Sequence, residues 1–126
     1  MKDRLLPIVG LLGLAAVALG AFGTHGLRAR VDASVLATWG TAVHYHMFHT
    51  LALMGVSLLA DRVRGSWTVA WLFLAGIVVF SGSLYLYVLT GTATFARITP
   101  VGGLFFLMGW AWLAVSSWKT GPANRG

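Results

Sequence analysis

The sequence predicts an all-α integral membrane protein, a four-transmembrane-helix up-down-up-down bundle, on three observations. Of 126 residues, 58% are hydrophobic and 10% charged, against about a quarter charged in a soluble domain, and mean hydropathy is +0.82. The charges are confined to positions 2–4, 28–32, 61–64, 97, 119 and 125. Between them run four uncharged stretches, Leu5–Leu27, Ala33–Ala60, Gly65–Ala96 and Ile98–Trp118. Each reaches the roughly 20 residues a helix needs to cross a 30 Å hydrocarbon core. Strands in lipid would need a closed barrel, which four segments cannot make. One domain over 1–126 is expected, with helices at about 5–24, 33–60, 67–90 and 99–118.

Each element has its own signals. Pro7 reads as lying in the first turn of the first helix, where its missing N–H is no loss. The opening Lys2-Asp3-Arg4 before an apolar run has the layout of a cleavable signal, but the run is longer than a usual signal core. Asp32 precedes Ala33 as a helix cap. The second stretch would extend roughly 42 Å as a helix, so its first turns, with Val35, Leu36 and Trp39, are expected in or above the headgroups. Thr90, Gly91 and Thr92 end the third helix. Thr99-Pro100 reads as cap and first residue of the fourth. Short loops make neighbouring helices antiparallel.

Orientation follows from Lys and Arg. Lys2, Arg4, Arg62, Arg64, Lys119 and Arg125 share one side, and Arg28, Arg30 and Arg97 the other. The positive-inside rule puts both termini in the cytoplasm. Trp67, Trp71 and Trp118 on one side and Trp39 on the other fit aromatic belts.

Several functions are excluded. Zero cysteines remove disulfides, thiol nucleophiles and Cys-ligated metals. The net charge is +6, but its basic residues are scattered, so no nucleic-acid partner is expected. The spans hold no Asp or Glu, the buried carboxylate on which small multidrug exporters couple protons. There is no G-x-S-x-G elbow and no carboxylate to orient an imidazole, so an enzyme is not expected.

Within lipid, helices associate through small residues and interhelical hydrogen bonds. Gly13, Ala16, Gly20 and Gly23 line one face of the first helix; Gly76 and Gly82 in the third, and Gly102, Gly103 and Gly109 in the fourth, are the other expected packing positions. On the second helix, His46, His49 and Thr50 share a stripe with Ala42, Leu53 and Ser57, while Phe48, Leu51, Gly55 and Leu58 form the opposite face. Ser81 and Tyr85, at i,i+4, with Ser83 and Thr99, fall at matching depth, and His25 approaches from the end of the first helix. The expected polar cluster is therefore His25, His46, His49, Thr50, Ser81, Ser83, Tyr85 and Thr99. Ionisable groups in a span are candidates for function. The sharpest version is a metal ion held by His46, His49 and His25, although a fourth ligand is missing. No other cofactor is expected.

Four strings carry a resemblance: Gly20-Ala21-Phe22-Gly23-Thr24-His25-Gly26-Leu27, Trp39-Gly40-Thr41-Ala42-Val43-His44-Tyr45-His46-Met47-Phe48-His49, Phe80-Ser81-Gly82-Ser83-Leu84-Tyr85, and Ile98-Thr99-Pro100-Val101-Gly102-Gly103. In order and spacing the chain resembles the YgdD/YwdK-like small inner-membrane proteins, domain-of-unknown-function family 423, which has eukaryotic small transmembrane relatives. Thr24 stands where that family more usually has Ala. The resemblance implies a multi-pass protein of the bacterial inner membrane with four helices, and brings no activity, substrate or cofactor. It draws attention to His25, His46, His49, Ser81, Ser83, Tyr85, Thr99 and Pro100.

The expected role is thus a non-enzymatic structural or partner-binding module in the lipid bilayer, with self-association or a membrane-protein partner through the glycine seams. The alternative is binding or transport of a metal ion, proton or small solute at the His/Ser/Tyr cluster on the periplasmic side.

Overall fold

The computed structural model describes residues 2–118 and, among them, contains helices and no strand. Four rods follow in order. Rod α1 is Lys2–Phe22, continued by a π-helical turn, Gly23–Leu27. Rod α2 is Ala33–Leu58. A short 3-10 turn, Ala60–Arg62, leads to α3, Ser66–Thr90, whose middle residues Ile77–Ser81 form a second π-helical turn. Rod α4 is Ala93–Trp118. The residues Lys119 and Arg125, used above for orientation, lie outside the described residues, as do the side chains of Lys2 and Trp118.

Glycine makes two of the reversals. Gly65 and Gly91 have φ of 68° and 69°, a left-handed backbone that disfavours any Cβ. The Gly91 N–H donates to the Tyr87 carbonyl at 2.8 Å and closes the end of α3.

Two helix starts and one cap differ from expectation. Helix α1 begins at Lys2, so Pro7 sits inside it. Asp32 precedes α2 in extended conformation, but its side chain makes no capping bond; its carbonyl instead accepts from the Leu36 N–H at 2.9 Å. Helix α4 begins at Ala93, and Thr99-Pro100 lies within it. A proline removes one helical donor, here the one for the Ala96 carbonyl. Membrane helices tolerate this where Ser or Thr hydroxyls satisfy nearby backbone. Thr99 Oγ1 donates to the Phe95 carbonyl at 3.4 Å, one residue before the interruption.

Rods α1, α3 and α4 are long and apolar enough to cross a membrane, with mean hydropathy 2.4, 2.1 and 1.7 over their best windows. Rod α2 carries His44, His46 and His49 and is not among them. Successive rods touch in antiparallel register. Gly23 meets Trp39, Gly20 meets Val43 and Gly13 meets Thr50 across α1 and α2. Ser81 reaches Ala42 and Phe73 packs on His49 across α2 and α3. Phe80 meets Gly102, Phe106 meets Gly76 and Phe73 meets Gly109 across α3 and α4. A core of Leu5, Val9, Leu53, Val56, Val69, Ala70, Phe73, Ile77 and Phe106 fills the interior toward the Gly65 end.

The expected small-residue seams are unequal. Ala16 is fully buried, and Gly20, Gly23, Gly102 and Gly109 sit against neighbours a new Cβ would touch within 3.4 Å. Gly13 and Gly103 are looser, with nearest atoms at 4.0 and 3.9 Å. Gly82 does not pack as expected: a Cβ there would meet nothing within 4 Å, because the preceding π turn aims Ser81 and Ser83, not Gly82, at the neighbouring rods.

Candidate functional site

The stripe on α2 organises the site. Trp39, Ala42, His46, His49, Thr50, Leu53, Val56 and Ser57 are all buried, following a 3.6-residue period along one face. Trp39 is 2% exposed and its indole Nε1 donates to the Leu19 carbonyl of α1 at 2.8 Å. The indole is thus committed to α1 and not free to face headgroups. A Trp at i−3 from Ala42 and i−7 from His46 continues the inward stripe, and a buried indole N–H needs an acceptor.

His46 points to α3. Its Nδ1 lies 2.9 Å from the Tyr85 hydroxyl. The imidazole is 4% exposed; the Leu12 backbone of α1 lies beside it, but among the described residues its Nε2 makes no hydrogen bond of ordinary geometry. His49 points between α3 and α4, stacked on Phe106 with ring centres 3.5 Å apart and planes at 9°. Both its nitrogens are used. Trp110 Nε1, which can only donate, lies 3.1 Å from His49 Nε2. Nε2 is therefore the acceptor, and the proton sits on Nδ1, which donates to the Tyr45 carbonyl at 2.9 Å. One neutral tautomer is fixed by its partners.

The hydroxyls are spent locally. Thr50 donates to the His46 carbonyl at 2.7 Å. Ser81, fully buried on the π turn, donates across to the Ala42 carbonyl at 2.7 Å. Ser83 lies 2.7 Å from the Thr99 hydroxyl and 2.9 Å from the Phe80 carbonyl. Hydrogen bonds thus join α1 to α2, α2 to α3, α3 to α4, and α4 back to α2.

Seven of the eight expected cluster residues lie on facing sides of α2, α3 and α4; His25 does not join them. It is exposed on the π turn that ends α1. His46 and His49 also diverge, one toward Tyr85 and the other toward Trp110, so the expected donor set of His25, His46 and His49 is not assembled. Among the described residues no three His, Cys, Asp or Glu side chains gather to hold a metal. Two neighbours escaped the sequence reading, Trp110 and Tyr45. Trp110 lies one residue past Gly109, where the glycine lets α4 close on Phe73. Tyr45 contributes its backbone and a ring packed on Phe80 at 4.6 Å.

Two apolar hollows flank this cluster. One, about 1000 Å³, runs between α1 and α2 beside Gly20 and Gly40, with Arg28 at one end. The other, about 570 Å³, lies between α2 and α4 with Phe80 and Trp110 in its wall.

The comparisons place the chain among membrane proteins. Residues 19–103 match the family described as "Protein of unknown function (DUF423)". The chain is 45% identical to the UPF0382 membrane protein YwdK of Bacillus subtilis over 84% of its length and 89% of that protein. It is 43% identical to a UPF0382 membrane protein of Haemophilus influenzae, over 95% of this chain and 98% of the other. A relative in Schizosaccharomyces pombe, UPF0382 membrane protein C1782.12c, is 44% identical over 86% of this chain and 96% of its own. No solved structure matches the chain. With most of its length aligned to bacterial and eukaryotic relatives, the chain belongs to the DUF423 family of UPF0382 membrane proteins.

Proposed function

We propose that all four rods cross the bilayer and that the protein is a non-enzymatic membrane module, structural or partner-binding, fastened by its polar cluster. The rod that decides the crossing count is α2. Its average hydropathy is lowered by imidazoles, but His46 and His49 face inward. Its outward face carries Phe48, Leu51 and Leu58, each at least half exposed, an apolar surface that water would disfavour. With α2 crossing, the short connections return both ends of the chain to one side. Arg4, Arg62 and Arg64, with Lys2, Lys119 and Arg125, favour the cytoplasm for that side and the inner membrane for the protein. Alkaline phosphatase fused after residue 30 or 91 should be active, and after residue 63 silent. Activity at residue 63 would remove the fourth crossing.

One observation carries the functional half: the network bonds mostly within itself, leaving among the described residues only His46 Nε2 and Ser57 Oγ as buried side-chain atoms without a partner. Both nitrogens of His49 and the hydroxyls of Thr50, Ser81, Ser83, Tyr85 and Thr99 bond within the chain. Nucleophilic catalysis needs a hydroxyl beside an oriented base, and here the serines serve backbone carbonyls and Thr99. The paired change His46→Ala and His49→Ala should lower thermal stability in detergent, and an unchanged melting temperature would overturn the structural reading. A second reading, proton or small-solute binding, rests on the unpartnered Nε2 of buried His46. In reconstituted vesicles, faster decay of a proton gradient with wild type than with His46→Ala would favour it; equal rates would remove it.

A further inference from the structure

The hollow between α1 and α2 has no role in the network. Its floor is cut by small residues, Ala16, Gly20 and Gly23 on α1 and Gly40 on α2. Along α2 it extends from Leu36 to Leu51, about 22 Å at 1.5 Å per residue. That equals one leaflet, half of the roughly 40–45 Å that a bilayer spans with its headgroups. Its volume of about 1000 Å³ lies at the upper end of small-ligand sites, roughly 300–1000 Å³.

Thr24 and Trp39 on the hollow bond to carbonyls of α1; two other polar groups there have no hydrogen-bond partner among the described residues. Arg28, at the end of α1, lines its mouth, and among the described residues it makes no ion pair or hydrogen bond. A guanidinium offers a planar fork of donors that fits a phosphate. Further along, the exposed His44 lines the same hollow. Its ring has an aromatic contact with Tyr45 and, among the described residues, no hydrogen bond, so on a lipid-facing surface its N–H lacks an acceptor.

From this we infer that the hollow holds one anionic phospholipid, its phosphate on Arg28, an ester oxygen within reach of His44, and one acyl chain lying over Gly20 and Gly40. The charge distribution favours this occupant over a second copy of the chain. This end of the molecule carries Arg28, Arg30 and Arg97 against the single acid Asp32, so two copies seated here would bring like charges together. Gly40 is part of the argument. Glycine weakens a helix relative to an ordinary side chain, yet beyond its chain neighbours and its own helix backbone no protein atom lies within 4 Å of where its Cβ would be. Of the glycines with such open space, Gly40 lines the hollow, where it leaves room for an acyl chain.

The inference rests on α2 crossing the membrane, and the experiment separates the two. Untagged protein in detergent is titrated with phosphatidylglycerol and, separately, phosphatidylcholine, and bound lipid is counted by native mass spectrometry. Wild type should hold one phosphatidylglycerol per chain in preference to phosphatidylcholine. Arg28→Gln should weaken phosphatidylglycerol about tenfold, as expected for a charge-assisted hydrogen bond, and erase the preference. Gly40→Leu fills open space, so it should keep the melting temperature and weaken both lipids alike. Gly10→Leu, also in open space but outside the hollow, should bind as wild type does. Equal binding of the two lipids by wild type, or wild-type binding by Arg28→Gln or Gly40→Leu, overturns the site. So does a wild-type dimer that Gly40→Leu converts to monomer, which would assign the hollow to a second copy. Each of these leaves the fusion pattern alternating, whereas failure of the crossing shows as activity at residue 63.

Discussion

Rods α1 and α4 each pack on a central neighbour through glycines, and they do so in opposite ways. Against α3, the α4 seam is a set of filled sockets: the Phe106 ring occupies the space at Gly76, the Phe80 backbone that at Gly102, and the Phe73 ring that at Gly109. Against α2, the α1 seam closes on a ring only at Gly23, where Trp39 lies 2.6 Å from a would-be Cβ. At Gly20 the nearest atom is 3.4 Å away, and at Gly13 it is 4.0 Å. The same residue therefore does two jobs. In one seam the missing side chain admits a neighbour of the chain itself, and in the other it leaves a hollow along the membrane-facing side. Glycine spacing alone does not distinguish them; the aromatic residues opposite do. Helix α3 supplies Phe73 and Phe80 to α4, whereas α2 meets α1 with Val43 and Thr50.

The largest effect should come from closing the tightest socket. In Gly102→Ala the new Cβ meets Phe80 backbone, which cannot rotate away as a ring can. Overpacking of this kind costs about 3 kcal/mol at the upper end of the usual range. Thermal unfolding in detergent should show α4 loosened and the protein aggregating at much lower temperature. A melting temperature within error of wild type would mean that the seam is softer than its contacts indicate.

The next effect concerns what ties α4 back to α2. Trp110→Phe keeps an aromatic ring, though a smaller one, and removes the donor to His49 Nε2, leaving a buried acceptor alone. Membrane hydrogen bonds average about 0.6 kcal/mol and reach about 1.7, and an orphaned buried acceptor lies toward the higher figure, so a loss of about 1.5 kcal/mol is expected. The same bond makes a spectroscopic prediction: nitrogen chemical shifts should place the His49 proton on Nδ1. An Nε2–H form would contradict the Trp110 geometry.

How much of this was legible in advance follows from the same contrast. The inward stripe Ala42–His46–His49–Leu53–Ser57 and the outward Phe48, Leu51 and Leu58 could be read because helical period is a local property. Ser81 and Tyr85 could be matched to α2 by depth alone. Three features could not be read. Trp39 reads as an interfacial residue, since Trp suits that layer by composition, and only the position of Leu19 reveals the partner of its indole. Thr99-Pro100 reads as the start of α4, which begins at Ala93, because a proline inside a membrane helix and a proline opening one look alike in sequence. The two π turns were invisible, and the one at Ile77–Ser81 sets which way Ser81 and Gly82 face. The metal set failed for a related reason: i,i+3 spacing puts His46 and His49 about 60° apart around the helix, enough for each to find a different neighbour.

Two small effects complete the contrast on the α2 side. Tyr85→Phe removes the partner of His46 Nδ1, but Tyr85 is only half-buried and its ring, packed 4.7 Å from Trp39, is retained. The expected loss is near the membrane average of about 0.6 kcal/mol. Gly13→Ala should do least. Its Cβ would sit 4.0 Å from Thr50 Cγ2, an ordinary van der Waals contact, and alanine is the better helix former. Unfolding in detergent should place this variant within about 0.5 kcal/mol of wild type, on the stabilising side. A loss comparable to that of Gly102→Ala would mean that α1 is held as tightly as α4. The open hollow between α1 and α2 would then lose its explanation, since a seam too tight to admit one methyl group at Gly13 would not gape beside Gly20, two turns away on the same face.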